Sequence, residues 1–270
     1  MPESAAPPES GLARELRRLV VALGYFTRIP VPSRIGGSAA ELNRAARYFP
    51  FVGLLVGAIA AVTFIAAGRV LPLSLAVVVS MAASLVLTGA FHEDGLADTV
   101  DGFGGGWDKA QVLAIMKDSR IGAYGAIALV LALLAKYASL IEIAADGVNA
   151  VALALLVAHP LSRAAALGIM AALPYVRVEG EARARPVAKG LGPAEWVTGI
   201  ALGAAPLAFA TSLGFMSPAR TGAALIMAVI VAVVCANYFR RRIGGYTGDC
   251  LGATQQLCEL GLYAALLARV

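Results

Sequence analysis

Long apolar runs alternate with short polar interruptions along this chain, and the runs have membrane-spanning length. Stretches at 48–68, 71–91, 122–144, 148–172, 195–214, 220–239 and 251–268 carry few charges, and a helix crossing the ~30 Å hydrocarbon core needs ~20 such residues. The pattern predicts an all-α, polytopic membrane bundle of about seven transmembrane helices, forming one domain over 1–270. Ahead of them, "LARELRRLVVALGYF" sets Arg14, Arg17 and Arg18 among leucines and valines, the mark of an interfacial helix over 12–26. Residues 1–11 read as a disordered Pro- and Ser-containing tail. The last run holds Gln255, Gln256 and Glu259, so one of its faces must meet protein or water.

Composition supports a lipid environment. The chain is 59% hydrophobic and only 14% charged, with a mean hydropathy of +0.78, whereas about 25% of a soluble domain's residues are charged. A net charge of +5 would suit nucleic acid, but its distribution argues otherwise. With the N-terminus inside, Arg14, Arg17, Arg18, Lys109, Lys117, Arg120 and Arg240–Arg242 fall on one side, against Arg69, Arg220 and Arg269 on the other. The positive-inside rule then orients the chain in the inner membrane and removes the need for a nucleic-acid partner. Cys235, Cys250 and Cys258 lack C-x-x-C spacing and read as small buried thiols.

Against this background "FHEDGLADTVDGFGGGWDKA" is anomalous. Asp94, Asp98 and Asp101 stand at i, i+4 and i+7, one face of a helix. Three carboxylates on one stripe repel each other unless a cation sits among them, and oxygen-only ligands favour Mg²⁺. Mg²⁺ keeps much of its water and shares its shell with substrate phosphates, so a diphosphate substrate is expected. Gly95 and Gly102 remove side chains where a ligand or backbone must come close. "MKDSRIGAYG", after an amphipathic helix over 108–117, returns Asp118 as a further ligand, with Lys117 and Arg120 as phosphate clamps. Glu93 and Asp108 lie off the stripe, and His92 reads as a local hydrogen-bonding residue.

Further polar residues extend the expectation. Asp249 enters the last run after "RRRIGGYTG" and is placed as an additional metal ligand, with an N-terminal capping role for it or Thr247 as the alternative. His159 and Arg163 in "AHPLSR" flank Pro160 and are expected to bind phosphate or cofactor in a cavity, with a purely structural salt bridge as the alternative. Lys136 and Glu142 are expected to pair inside the bundle.

Several stretches resemble the adenosylcobinamide-GDP ribazoletransferase family, also called cobalamin (cobalamin-5'-phosphate) synthase. They are "FTRIPVP" (26–32), "FPFVGLLVG" (49–57), "TGAFHEDGLADTVDGFGGG" (88–106), "IMKDSRIGAYGAIAL" (115–129), "HPLSR" (159–163) and "GGYTGDCLGATQQLCEL" (244–260). The resemblance implies a membrane transferase with its active site facing the cytoplasm. It would join adenosylcobinamide-GDP to α-ribazole or α-ribazole 5'-phosphate with Mg²⁺, releasing GMP. The α-ribazole 3'-hydroxyl would attack the phosphorus attached to cobinamide, with metal held by Asp94, Asp98, Asp101 and Asp118 or Asp249. Self-association into a homo-oligomer is left open.

Two other classes share parts of the pattern. A CDP-alcohol phosphatidyltransferase also works through membrane-edge aspartates, yet "DTVDGFGGGWDK" lacks the Ala-Arg that should follow. An ion-coupled transporter would bury its acids near the midplane, whereas these gather at one edge.

Overall fold

The computed structural model of the protein describes residues 10–32, 39–176 and 191–268. Residues 1–9 of the expected tail, and Arg269 among the basic residues used for orientation, lie outside them. Eleven α-helices follow one another within the described residues. They are α1 (Gly11–Phe26), α2 (Ala39–Ala45), α3 (Phe49–Ala67), α4 (Leu73–Thr88), α5 (Phe91–Gly105), α6 (Lys109–Ile115), α7 (Ala123–Ile143), α8 (Val148–Ala172), α9 (Pro193–Ser212), α10 (Pro218–Ile243) and α11 (Gly248–Leu267). The fold is a polytopic helical membrane bundle.

All seven expected spans appear as helices, but the count of crossings needs correcting. Among the described residues five helices are long and apolar enough to cross a membrane, or six if α4 and α5 together form one broken span. The α4 helix has 16 residues, about 24 Å at 1.5 Å per residue, and so falls short alone. It meets α5 at 86° through Gly89 and Ala90, both left-handed at φ 64° and 56°. Glycine takes that conformation freely, whereas Ala90 is an uncommon occupant. The α11 helix fails on polarity, because it carries the glutamines and Glu259 into the protein interior.

The α8 helix is the hub, buried along most of its length and packed against α3, α9, α10 and α11. Gly53 and Gly57 of α3 supply a small-xxx-small face that lets backbones approach closely. A Cβ on Gly53 would lie 2.5 Å from the His159 carbonyl oxygen and 2.8 Å from Arg163 Cδ. Pro160 stands inside α8 without ending it, and its carbonyl faces Gly203 of α9.

The bundle has two chemically distinct ends. Asp146, after α7, pairs with Arg220 at the start of α10, 3.5 Å apart. At the other end Arg242, in the last turn of α10, donates to the carbonyls of Phe103 (3.1 Å) and Gly106 (2.7 Å). Arg47 and Glu195 also pair there at 2.9 Å, placing an acid in the first turn of α9, where the helix dipole favours it. Val176 N donates to Tyr246 O and Tyr246 N to Pro174 O, both at 3.0 Å, which seats the start of α11 beside the end of α8. The α1 helix lies over this end with Val21, Ala22 and Phe26 buried and Leu12 and Leu16 exposed, as an interfacial helix should.

Candidate active site

The acidic stripe forms as a helix, α5, and its members differ in environment. Asp94 is exposed, Asp98 half-buried and Asp101 buried. The α5 helix crosses α11 at Gly95 and Gly252. A Cβ on Gly95 would meet the Asp249 carbonyl at 3.0 Å and Gly252 Cα at 3.2 Å. The crossing brings the Asp249 turn of α11 against the Asp94 turn of α5. Thr247 caps α11 by accepting from Cys250 N at 3.3 Å and donates to Asp249 Oδ2 at 3.3 Å. The capping role therefore falls to Thr247, and Asp249 stays in the first turn as an acid.

Asp101 has a structural task. Its two oxygens accept from Gly122 N (2.7 Å) and Gly125 N (2.8 Å), satisfying donors that the start of α7 would otherwise leave open. Asp118 faces Arg120, whose Nη2 donates to Oδ2 at 2.6 Å and whose backbone N donates to Oδ1 at 3.0 Å. Those hydrogen bonds from Arg120 hold the exposed Asp118 carboxyl down at about 2. Asp108 caps α6 by accepting from Gln111 N at 2.9 Å. Lys117 is exposed. Gly102 admits Val112 of α6 and Met116 just after it, as Gly95 admits α11. Of the ligand or backbone expected to come close at these glycines, the structure shows neighbouring helix and loop atoms. Among the described residues no three His, Cys, Asp or Glu side chains converge as a ready-made metal site.

A second polar constellation lies deeper in the bundle. Glu259 is fully buried. Its Oε1 pairs with Lys136 Nζ at 2.9 Å and accepts from Tyr263 at 3.0 Å, while Oε2 accepts from Gln255 Nε2 at 2.7 Å. Lys136 is thus matched by Glu259 and not by Glu142, which is exposed. Gln256 Nε2 donates to Glu93 Oε1 at 2.9 Å, so Glu93 belongs to this network. His159 Nδ1 stands 3.5 Å from Glu259 Oε2, and Arg163 Nη1 donates to the His159 carbonyl at 2.9 Å. His159 and Arg163 therefore occupy the bundle interior. The orphaned buried atoms here are Glu93 Oε2, His159 Nδ1 and Arg163 Nε. All three residues border one small cavity with His92, Gln255 and Gln256.

A larger chamber of about 500 Å³ of empty space, mouth included, opens beside it. Its wall of Tyr25, Phe26, Phe49 and Phe91 was not legible from residue spacing, since the four come from three separated segments. Phe26 stacks on His92, with ring centres 5.4 Å apart and planes at 13°. Cys235, Cys250 and Cys258 are buried free thiols.

The family model described as cobalamin-5-phosphate synthase matches residues 18–267. The chain belongs to the cobalamin-5-phosphate synthase family. Among curated relatives, an adenosylcobinamide-GDP ribazoletransferase of Ralstonia nicotianae is 48% identical over 262 residues, covering 96% of this chain and 98% of the relative. Proteins of the same name from Shewanella amazonensis and Leptothrix cholodnii are each 46% identical over 263 residues, covering 96% and 97% of this chain and 97% and 98% of theirs. No solved structure matches the chain. Nearly every element described above, from within α1 to the end of α11, thus falls inside the cobalamin-5-phosphate synthase match.

Proposed function

We propose that this chain is a membrane-bound, Mg²⁺-dependent transferase that joins adenosylcobinamide-GDP to α-ribazole or its 5'-phosphate, giving adenosylcobalamin or its 5'-phosphate and GMP. Relatives of that name, matched end to end, support the reaction class. The observation that carries the chemistry is the Gly95–Gly252 crossing, which brings Asp94, Asp98 and Asp249 to one end of the bundle. Basic residues concentrate at that end, notably Arg240–Arg242 in the last turn of α10, so the positive-inside rule turns it toward the cytoplasm of the inner membrane.

The donors suit Mg²⁺ in kind, being carboxylate oxygens, with Asp94 exposed and Asp98 and Asp249 half-buried, and water and phosphate oxygens would have to supply the rest of the shell. Asp94 and Asp98 would hold the ion, with Asp249 completing the set. Bound there, the ion would offset charge on the diphosphate and on the departing GMP.

The reaction forms one P–O bond from the ribazole 3'-hydroxyl to the cobinamide-linked phosphorus. It breaks the bond to the bridging oxygen, which leaves with GMP, and the hydroxyl proton passes to a carboxylate or water at the same end. Lys117, exposed beside this end, adds positive charge for the phosphates. Purified protein incubated with adenosylcobinamide-GDP, α-ribazole and Mg²⁺ is expected to release GMP and a corrinoid product in equal amounts, and chelation is expected to stop both. Undiminished turnover under exhaustive chelation would overturn the metal-dependent reading.

A further inference from the structure

We propose that the aromatic-walled chamber takes the base of the nucleoside acceptor, a flat and largely apolar benzimidazole-type ring. This rests on the transferase reading above and names the part of that site it leaves open. The chamber's size, wall, polar lining and position carry the inference, together with one buried donor.

Its empty space of about 500 Å³ includes the open mouth, so the part enclosed by the rings is smaller still and excludes a corrin macrocycle. Its wall presents Tyr25, Phe26, Phe49 and Phe91, set edge to face about Phe26, with ring centres 4.3–5.4 Å apart. Such a wall suits offset or edge contacts with one more ring. Few polar side chains reach it: His92, Arg163 and Gln255. The amide of Gln255 is already committed to Ser162, Glu259 and Gln256. A base with several exocyclic donors and acceptors, such as guanine, would enter at a desolvation cost that this lining cannot repay.

Arg163 is the second, independent pointer. It is 3% exposed, it borders the chamber, and its Nε has no hydrogen-bond partner among the described residues. Buried polar groups are ordinarily satisfied, and a ring nitrogen acceptor would satisfy this one, whereas a lipid tail would not. The position also fits. Phe91 and His92 open α5 just before Asp94, and Gly248 and Gly252 flank Asp249. A base seated among the rings would leave its ribose at the aspartates.

Ala166 lines the chamber and is partly exposed, so Ala166→Phe fills the space from α8. In the full chain held in nanodiscs, this variant is expected to raise KM for α-ribazole roughly tenfold or more and to leave KM for adenosylcobinamide-GDP unchanged. Phe91→Leu, which keeps an apolar side chain but removes the ring, is expected to raise the ribazole KM about threefold and carries the test if Ala166→Phe does not fold. A rise confined to the KM for adenosylcobinamide-GDP would overturn the proposal, as would no change in either constant, the result for a lipid-filled chamber. Equilibrium dialysis of free α-ribazole separates this inference from the reaction. Retention by the wild type and loss in Ala166→Phe support the chamber even if no GMP forms, and no retention overturns it even if GMP does form.

Discussion

At the outer end of the α5–α11 pair Asp94 is exposed and Asp98 half-buried, whereas ten residues further along α11 from Asp249, about 15 Å at 1.5 Å per residue, Glu259 is wholly enclosed. The enclosed carboxylate has Lys136, Tyr263 and Gln255 within hydrogen-bonding distance. The other two stand beside the glycine crossing of α5 and α11. A buried charge is tolerable only when its partners are supplied by the protein. Charge set at an edge leaves coordination available for something that arrives. The same pair of helices thus combines an enclosed, internally matched carboxylate with an acidic end that is partly exposed.

The sharpest way to break this contrast is to remove the enclosed acid. Glu259→Leu strands Lys136 in the interior and should cost about 3–5 kcal/mol, read as a fall in the thermal midpoint of the detergent-purified protein, with a smaller loss in the Glu259→Leu, Lys136→Met double variant. Asp98→Asn should behave oppositely. It should lower kcat by about 10²–10³ with an unchanged midpoint, and full activity would take Asp98 out of the site. Asp101 sharpens the boundary between the regions, because it sits on the acidic helix yet closes the start of α7. Asp101→Ala should cost about 2 kcal/mol of stability through unsatisfied amides.

The smallest expected effect is at Asp118. Arg120 holds that carboxyl near 2 against an ordinary 3.8. A downward shift contributes stability above the ordinary value and loses it as pH falls toward the folded one, so the contribution of this clasp should be complete at neutral pH and fade between about pH 4 and pH 2. Carboxyl NMR titration should show the low value in the wild type and its return to the ordinary range in Arg120→Ala.

Local patterns carried much of this into view before any coordinates. Apolar run length located every large helix to within a few residues, and the i, i+4, i+7 spacing placed three aspartates on α5. What pattern could not supply was partnership. The stripe assigns Asp94, Asp98 and Asp101 alike, but only the fold brings Gly122 and Gly125 onto Asp101. Lys136 has Glu142 six residues away in sequence, yet its partner is more than a hundred residues distant on α11. The polarity of Gln255, Gln256 and Glu259 announced a face turned to protein or water, and in α11 that face meets protein. It left open which acid met which base, because that depends on helix crossings set by glycines. Gly53 and Gly57, spaced as a small-xxx-small pair, were the available signal for the α3–α8 contact that sets His159 and Arg163 inside.

Where α5 meets α11, main chain lies against main chain, with no side chain on Gly95 or Gly252 to trim. An enlargement at either position therefore has no reciprocal reduction on the facing helix that could rescue it. Second-site suppressors of such a change should arise only by re-tilting a whole helix, and drift at these two positions should be narrower than at the charged residues they bring together.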